Sequence, residues 1–315
     1  MLRVALLLIV LAASLGAAKN LEIYVIDVEG GKSVLLVSPS GESMLFDAGW
    51  PAAANRTAST DRIVEVAQAA GLKRIDSLVI SHYDIDHIGD VPQLVSKFPV
   101  GHIFDHGDMQ TENAQAKERF AAYAAVRDKV GHTVLKAGDK LPIKGVEIEV
   151  LSAGGQLISK SLGKAMPNPL CAASRQADVL ASDFEDNQSI GLLITLGKFR
   201  MLDLADLEAH YAHDLVCPAN LIGTVSLYNV NVHGQFKGIA PELVGAVRAP
   251  VMIQANGARK GADAQTWPVL RAAPGLKDIW QLHYSLNAGK DANPPDDFIA
   301  NLEASDGFKW LRISA

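Results

Sequence analysis

The stretch SHYDIDHIG, residues 81–89, places two histidines and two aspartates within six positions, directly behind the apolar run IDSLVI at 75–80. A short apolar run rich in β-branched residues reads as a buried strand, so Ser81 onward is the loop at its C-terminal end, where α/β architectures place their chemistry. His82, Asp84, Asp86 and His87 are imidazole and oxygen donors. Buried together they would leave polar groups stranded unless a cation sat among them, and a solvated acidic turn is the competing reading.

Outward from that stretch the chain alternates between strand and helix patterns. LEIYVIDV (21–28), SVLLVS (33–38) and SMLFDAG (43–49) read as an antiparallel meander split by Gly and Ser turns. DRIVEVAQAAGL (61–72) has helical spacing, with Asp61 in its first turn and Gly71 at its end. VPQLVSKF predicts a further helix, GHIFDHG a strand with its exit loop, and ENAQAKERFAAYAAVRDKVG a long amphipathic helix. From 153 to 187 periodicity gives way to Gly, Pro, Asn and Ser, which reads as a long loop or insertion. Then come the strands SIGLLITLG and FRMLDLAD, the helix LEAHYAHDLV, the strand TVSLYNVNVHG, and a last α/β alternation ending in FKWLRIS. This order fits two similar βα halves, as two sheets face to face with helices outside.

At 315 residues and 49% hydrophobic content the chain can bury a substantial core. Its net charge of −6 argues against a broad phosphate-tracking surface. MLRVALLLIVLAASLGAAKN has a cation at Arg3, an apolar run too short to span a bilayer, and small residues through Ala18. It reads as a signal peptide over 1–18, giving a periplasmic or secreted protein without stable membrane insertion after cleavage; an uncleaved anchor is the other reading. Cys171 and Cys217 read as a disulfide in such a compartment, with two buried thiols as the alternative.

The motif HYDIDHIGD resembles the HxHxDH signature of the metallo-β-lactamase fold hydrolases, in the HxDxDH form of the hydrolase domain of bacterial competence DNA-channel proteins and their secreted relatives. Three flanking segments agree with that subgroup in order: IDVEGGKSVLLVSPSGESMLFDAG, EDNQSIGLLITLGKFRMLDLADLE and NVNVHGQF. The resemblance spans about residues 21–260. It implies an α/β, four-layer αββα sandwich over 19–315 and metal-assisted hydrolysis. His82 and Asp84 would be ligands of a first metal, Asp86 and His87 of a second, Asp206 the bridging aspartate and His233 the late histidine completing the second site. Asp86 would also orient or deprotonate the attacking water. Asp47 would hold the site loop by hydrogen bonds, and Asp27 lies in the matching early turn.

The chain departs from the family at several positions. Asp84 stands where most of the superfamily has histidine, favouring harder ions such as Mn²⁺ or Mg²⁺ over an all-histidine zinc site. Ala205 and Asp90 replace glycines, and Val232 replaces the first histidine of a late pair. The histidine expected before NQSIGLL is missing; His106 is the candidate substitute, and His283 a candidate to face the cleft. Arg259 and Lys260 in NGARKG could bring positive charge to an anionic substrate, or form an exposed turn. The expectation is therefore one or two divalent ions per chain, Zn²⁺ or Mn²⁺, acting on a phosphodiester, ester, lactone or amide. The substrate would be a small molecule or a phosphodiester; nucleic acid is only weakly supported, because the acidic balance argues against it. A non-catalytic binding protein on the same fold is the alternative.

Overall fold

A computed structural model describes residues 20–53, 58–172, 184–302 and 310–315. Residues 1–18, read above as a signal peptide, and the middle of the 153–187 stretch lie outside the described residues. The elements run β1 (Glu22–Ile26), β2 (Val34–Val37), β3 (Ser43–Phe46), α1 (Ser59–Ala69), β4 (Ile75–Val79), α2 (Ile85–Ile88), α3 (Val91–Lys97), β5 (Val100–Asp105), α4 (Ala114–Val130) and β6 (His132–Val134). The second half comprises β7 (Glu147–Ala153), β8 (Gln156–Leu157), β9 (Met166–Pro167), β10 (Gly191–Leu196), β11 (Phe199–Asp203), α5 (Ala209–Asp214), β12 (Ala219–Asn220) and β13 (Leu227–Asn229). It closes with α6 (Pro241–Val247), β14 (Val251–Gln254), α7 (Trp267–Arg271), β15 (Asp278–His283), β16 (Ile299–Asn301) and β17 (Trp310–Ser314).

Two mixed sheets form, in the orders β17-β1-β2-β3-β4-β5-β6 and β16-β15-β14-β13-β11-β10-β7-β8. The β1-β2-β3 meander is antiparallel as expected. Strand β17 crosses back to pair with β1, so the halves exchange a strand rather than each closing alone. TVSLYNVNVHG forms a strand only over Leu227–Asn229, because Val232 and His233 take left-handed backbone angles that end the extended run.

The period-2 side-chain alternation of a strand sorts the core into layers. Ile23, Val25, Val34, Leu36, Met44 and Phe46 face Val150, Leu192, Ile194, Met201 and Ile253 across the space between the sheets. Their neighbours Tyr24, Ile26, Leu35 and Leu45 point outward against Ile63 and Val66 of α1, Leu94 of α3 and Tyr123 of α4. On the far face, Leu193, Leu202, Tyr228 and Met252 pack against Ala212 of α5, Leu243 and Val247 of α6 and Leu270 of α7. The result is helix, sheet, sheet, helix: the four-layer αββα sandwich. Among the described residues no helix is long and apolar enough to cross a membrane.

Cys171 and Cys217 form a disulfide between residues 46 apart in sequence. It ties the middle of the long stretch, at Cys171, to the chain just after α5. Closing a loop of that length removes enough unfolded-chain entropy for about 2–4 kcal/mol of stability. Reduction, or the Cys171→Ser/Cys217→Ser pair, is expected to lower the urea midpoint by that free energy. An unchanged midpoint would show that the bridge does not constrain the unfolded chain.

Candidate metal centre

The parallel pairs β3-β4, β11-β13 and β13-β14 bring their C-terminal ends to one rim of the sandwich, and every candidate side chain leaves the sheets there. Asp47 follows β3, Ser81 and His82 follow β4, Asp206 follows β11 and His233 follows β13. Among the described residues three groups of potential ligands form: Asp86, His87, Asp206 and His233 in a first, His82, Asp84 and Asp186 in a second, and Asp27, Glu29 and His283 in a third.

In the first group His233 Nε2 lies 3.1 Å from both Asp86 Oδ2 and Asp206 Oδ2. His87 Nε2 lies 3.3 Å from Asp86 and 3.5 Å from Asp206. In the second, His82 Nε2 is 3.6 Å from Asp186 Oδ1 and 4.0 Å from Asp84 Oδ2. The His82 and His87 rings are 4.0 Å apart, so the two groups adjoin.

The other ring nitrogens fix the tautomers. His87 Nδ1 donates to Asp47 Oδ2 at 2.9 Å, and His233 Nδ1 donates to the Ala255 carbonyl at 3.2 Å. Ser81 Oγ donates to Asp47 Oδ2 at 2.7 Å and therefore accepts from His82 Nδ1 at 3.0 Å. Asp47 also accepts the Ser81 backbone N–H at 2.7 Å, so it orients both histidines at once. With every Nδ1 engaged, Nε2 of His82, His87 and His233 points at the carboxylates. These three buried nitrogens make no hydrogen bond. A divalent cation fits this donor set, because buried polar atoms without partners are costly and buried carboxylates need positive charge.

The electrostatics agree. Burial and the neighbouring His87 charge hold His82 well below the usual imidazole range. Burial also opposes charge on His87, yet Asp206, Asp86 and Asp47 outweigh it and raise its pKa. Burial would favour neutral Asp86 and Asp206, but Lys260 and His87 keep the first ionised, and His233 and His87 the second. Asp186 is pushed up to about 8 by burial and by the Asp206 charge. Four carboxylates thus crowd a pocket with too little positive charge for all of them.

Asp186 was not legible as a candidate. It stands beside His82 in the space where a middle histidine was sought, and the only trace of it in sequence is a carboxylate directly before Asn187. His106 is not in that group: its Nε2 is 3.0 Å from Glu185 Oε1 and its ring stacks on Tyr83. Glu185 also accepts the Tyr83 N–H at 2.9 Å, so His106 steadies the segment that carries Asp186. His283 faces a separate buried cluster, with Nε2 2.8 Å from Asp27 Oδ2. There the Arg62 guanidinium shares its single charge between Asp27 and Glu29, 3.3 Å from each.

The departures from the family have local explanations. Ala205 adopts the positive φ of 50° that a glycine would take, and Val232 donates its N–H to the Ala205 carbonyl at 2.9 Å, tying the Asp206 and His233 turns together. Asp90 Oδ2 accepts the Thr60 N–H at 2.5 Å, fixing the first turn of α1. At Gly31 an added Cβ would stand 2.6 Å from the Asp86 carbonyl, so that position holds the early turn against the ligand loop. Arg259 is exposed, whereas Lys260 turns inward and its Nζ pairs with Asp86 Oδ2.

Residues 27–172 match the family model described as the metallo-beta-lactamase superfamily. A 78-residue segment is 44% identical to the competence protein ComA of Neisseria gonorrhoeae, covering 25% of this chain and only 10% of that protein. The metallo-beta-lactamase fold protein YhfI of Bacillus subtilis aligns with a TM-score of 0.48 and 13% identity, over 84% of this chain and 96% of that one. A putative metal-dependent hydrolase of Parabacteroides distasonis aligns with a TM-score of 0.45 and 14% identity, over 83% and 92%.

Proposed function

We propose that this protein, which carries a metallo-β-lactamase superfamily domain over residues 27–172, is an exported metal-dependent hydrolase that cleaves a phosphodiester or a related ester, lactone or amide bond. The observation that carries the reading is the set of three buried histidine Nε2 atoms, without hydrogen bonds, converging on four carboxylates. His82, Asp84 and Asp186 would hold one ion and Asp86, His87 and His233 the other, with Asp206 serving both. Divalent ions, Zn²⁺ or Mn²⁺, would lower the pKa of a water from about 15.7 toward 7 and polarise the oxygen of the scissile bond. Asp86 would orient or deprotonate that water, while Asp47 and Ser81 hold the histidine rings in place. Export rests on the apolar leader over 1–18 and on the Cys171–Cys217 bridge, which an oxidising compartment sustains. The substrate partner is a small molecule or a nucleic acid strand.

One observation favours a second reading. Lys260 contacts Asp86 and Lys237 contacts Asp186, so two ammonium groups already answer part of the negative charge. A non-catalytic binding protein could rely on them alone. Elemental mass spectrometry on protein purified without chelator or affinity-tag histidines separates the two readings. The expected result is about two ions per chain, falling in His82→Ala and His233→Ala variants. No stoichiometric metal, even after Zn²⁺ and Mn²⁺ are offered, would overturn the hydrolase reading.

A further inference from the structure

Two lysines border the metal centre, one on each ligand group. Lys237 lies four residues beyond His233; its Nζ contacts Asp186 and stands 3.7 Å from Glu208 Oε1. Lys260 comes from the loop after β14; its Nζ contacts Asp86 and lies 5.0 Å from the centre of the Trp50 ring. Both ammoniums sit on the solvent side, 36% and 28% exposed, over carboxylates that are nearly inaccessible.

The Lys260 loop is built rather than loose. Ala262 donates its N–H to the His233 carbonyl at 2.9 Å, Gly257 to the Lys260 carbonyl at 2.9 Å and Leu286 to the Ala258 carbonyl at 2.9 Å. A Cβ at Gly261 would stand 2.2 Å from the His233 carbonyl oxygen, so this loop lies flush against the turn that carries a proposed ligand. Lys260 is therefore fixed relative to His233.

Charge counting gives these lysines a task. With two divalent ions held, Asp84, Asp86, Asp186 and Asp206 would all be ionised, and their four negative charges would be matched by the ions. The ammoniums are then surplus to the ligand set. Lys237 keeps Glu208 as a partner, whereas the Lys260 charge is left facing the cleft beside Trp50.

We infer that Lys260, assisted by Lys237, is the anion-recognition residue of this site: it selects substrates with a negative charge on the scissile group, a phosphoryl oxygen being the fitting chemistry. The assignment rests on the hydrolase reading and names its substrate charge. An ammonium is a point charge with three donors, suited to a non-bridging phosphoryl oxygen.

The test uses the full chain loaded with Mn²⁺ or Zn²⁺, comparing wild type with Lys260→Met and Lys260→Arg. Inorganic phosphate binding is followed by calorimetry, which needs no turnover. Steady-state hydrolysis is measured on bis(4-nitrophenyl) phosphate and on uncharged 4-nitrophenyl acetate. Lys260→Met is expected to weaken phosphate binding and raise KM for the charged diester by about 10- to 100-fold. Metal content should stay within about twofold, the loss on the charged diester should exceed any loss on the neutral ester by about tenfold, and Lys260→Arg should recover part of it. Unchanged phosphate affinity in Lys260→Met, or equal losses on both esters, would overturn the assignment. Failure of the hydrolase reading looks different: the wild type would turn over neither ester, while the phosphate measurement still decides the role of Lys260.

Discussion

Asp206→Asn is expected to reduce hydrolysis by about 10³-fold or more, corresponding to roughly 4 kcal/mol of lost transition-state stabilisation. The substitution keeps the size of the side chain and removes its charge. Asp206 Oδ2 lies 3.1 Å from His233 Nε2 and 3.5 Å from His87 Nε2, and its charge acts on His82 and on Asp186 in the adjoining group. Asp86 also acts on His82, but the charge of Asp206 reaches both His82 and Asp186. Metal content should fall with activity, while the circular dichroism spectrum should hold, because the turn is fixed by the backbone bond from Val232 to Ala205. Full activity in a folded Asp206→Asn protein would refute the two-group centre.

The second large effect is on stability. Lys32 is buried between the sheets, and its Nζ lies 2.6 Å from both oxygens of an equally buried Asp203. Asn229 Nδ2 donates to Asp203 Oδ2 at 2.8 Å and the Ala205 N–H to Oδ1 at 3.1 Å. The Lys32 N–H donates to the Asp86 carbonyl at 3.1 Å. This pair thus ties the early turn and the Asp86 loop of one sheet to the Asp206 turn of the other.

Lys32→Met leaves a carboxylate buried without its counter-charge, and a loss of about 3–5 kcal/mol follows. For a domain of this size that is a fall in Tm of about 10 °C. The double variant Lys32→Met/Asp203→Leu should recover much of the loss, since no unpaired charge remains. A loss below about 1 kcal/mol in the single variant would show that water reaches Asp203 and that the pair does not join the sheets.

The candidate site was partly legible because HYDIDH is local. The spacing of His82, Asp84, Asp86 and His87 is set by four or five peptide units, and the apolar run before it marks a strand end. Period-2 alternation made the β1-β2-β3 meander legible, since it reflects the geometry of a single strand. Asp47 was legible as a holder of the loop through its place at the end of LFDAG.

His106 and Asp186 show where that reasoning ends. Both leave the ordered core into loops, and nothing local distinguishes the residue that reaches His82 from the one that supports it. Asp186 offers a carboxylate where the family pattern has an imidazole, and an aspartate in a polar loop carries no local mark of that role.

By itself, then, the sequence determined the alternation of strands and helices and the crowded HxDxDH loop, because each depends on neighbours within a few residues. Only the tertiary structure decided that Asp186 joins His82, that Lys260 rather than Arg259 turns inward, and that Lys32 meets Asp203 across 171 positions. Those encounters depend on how two sheets stack and which loop ends meet at their rim, and stacking is set by the summed packing of the whole core rather than by any short segment.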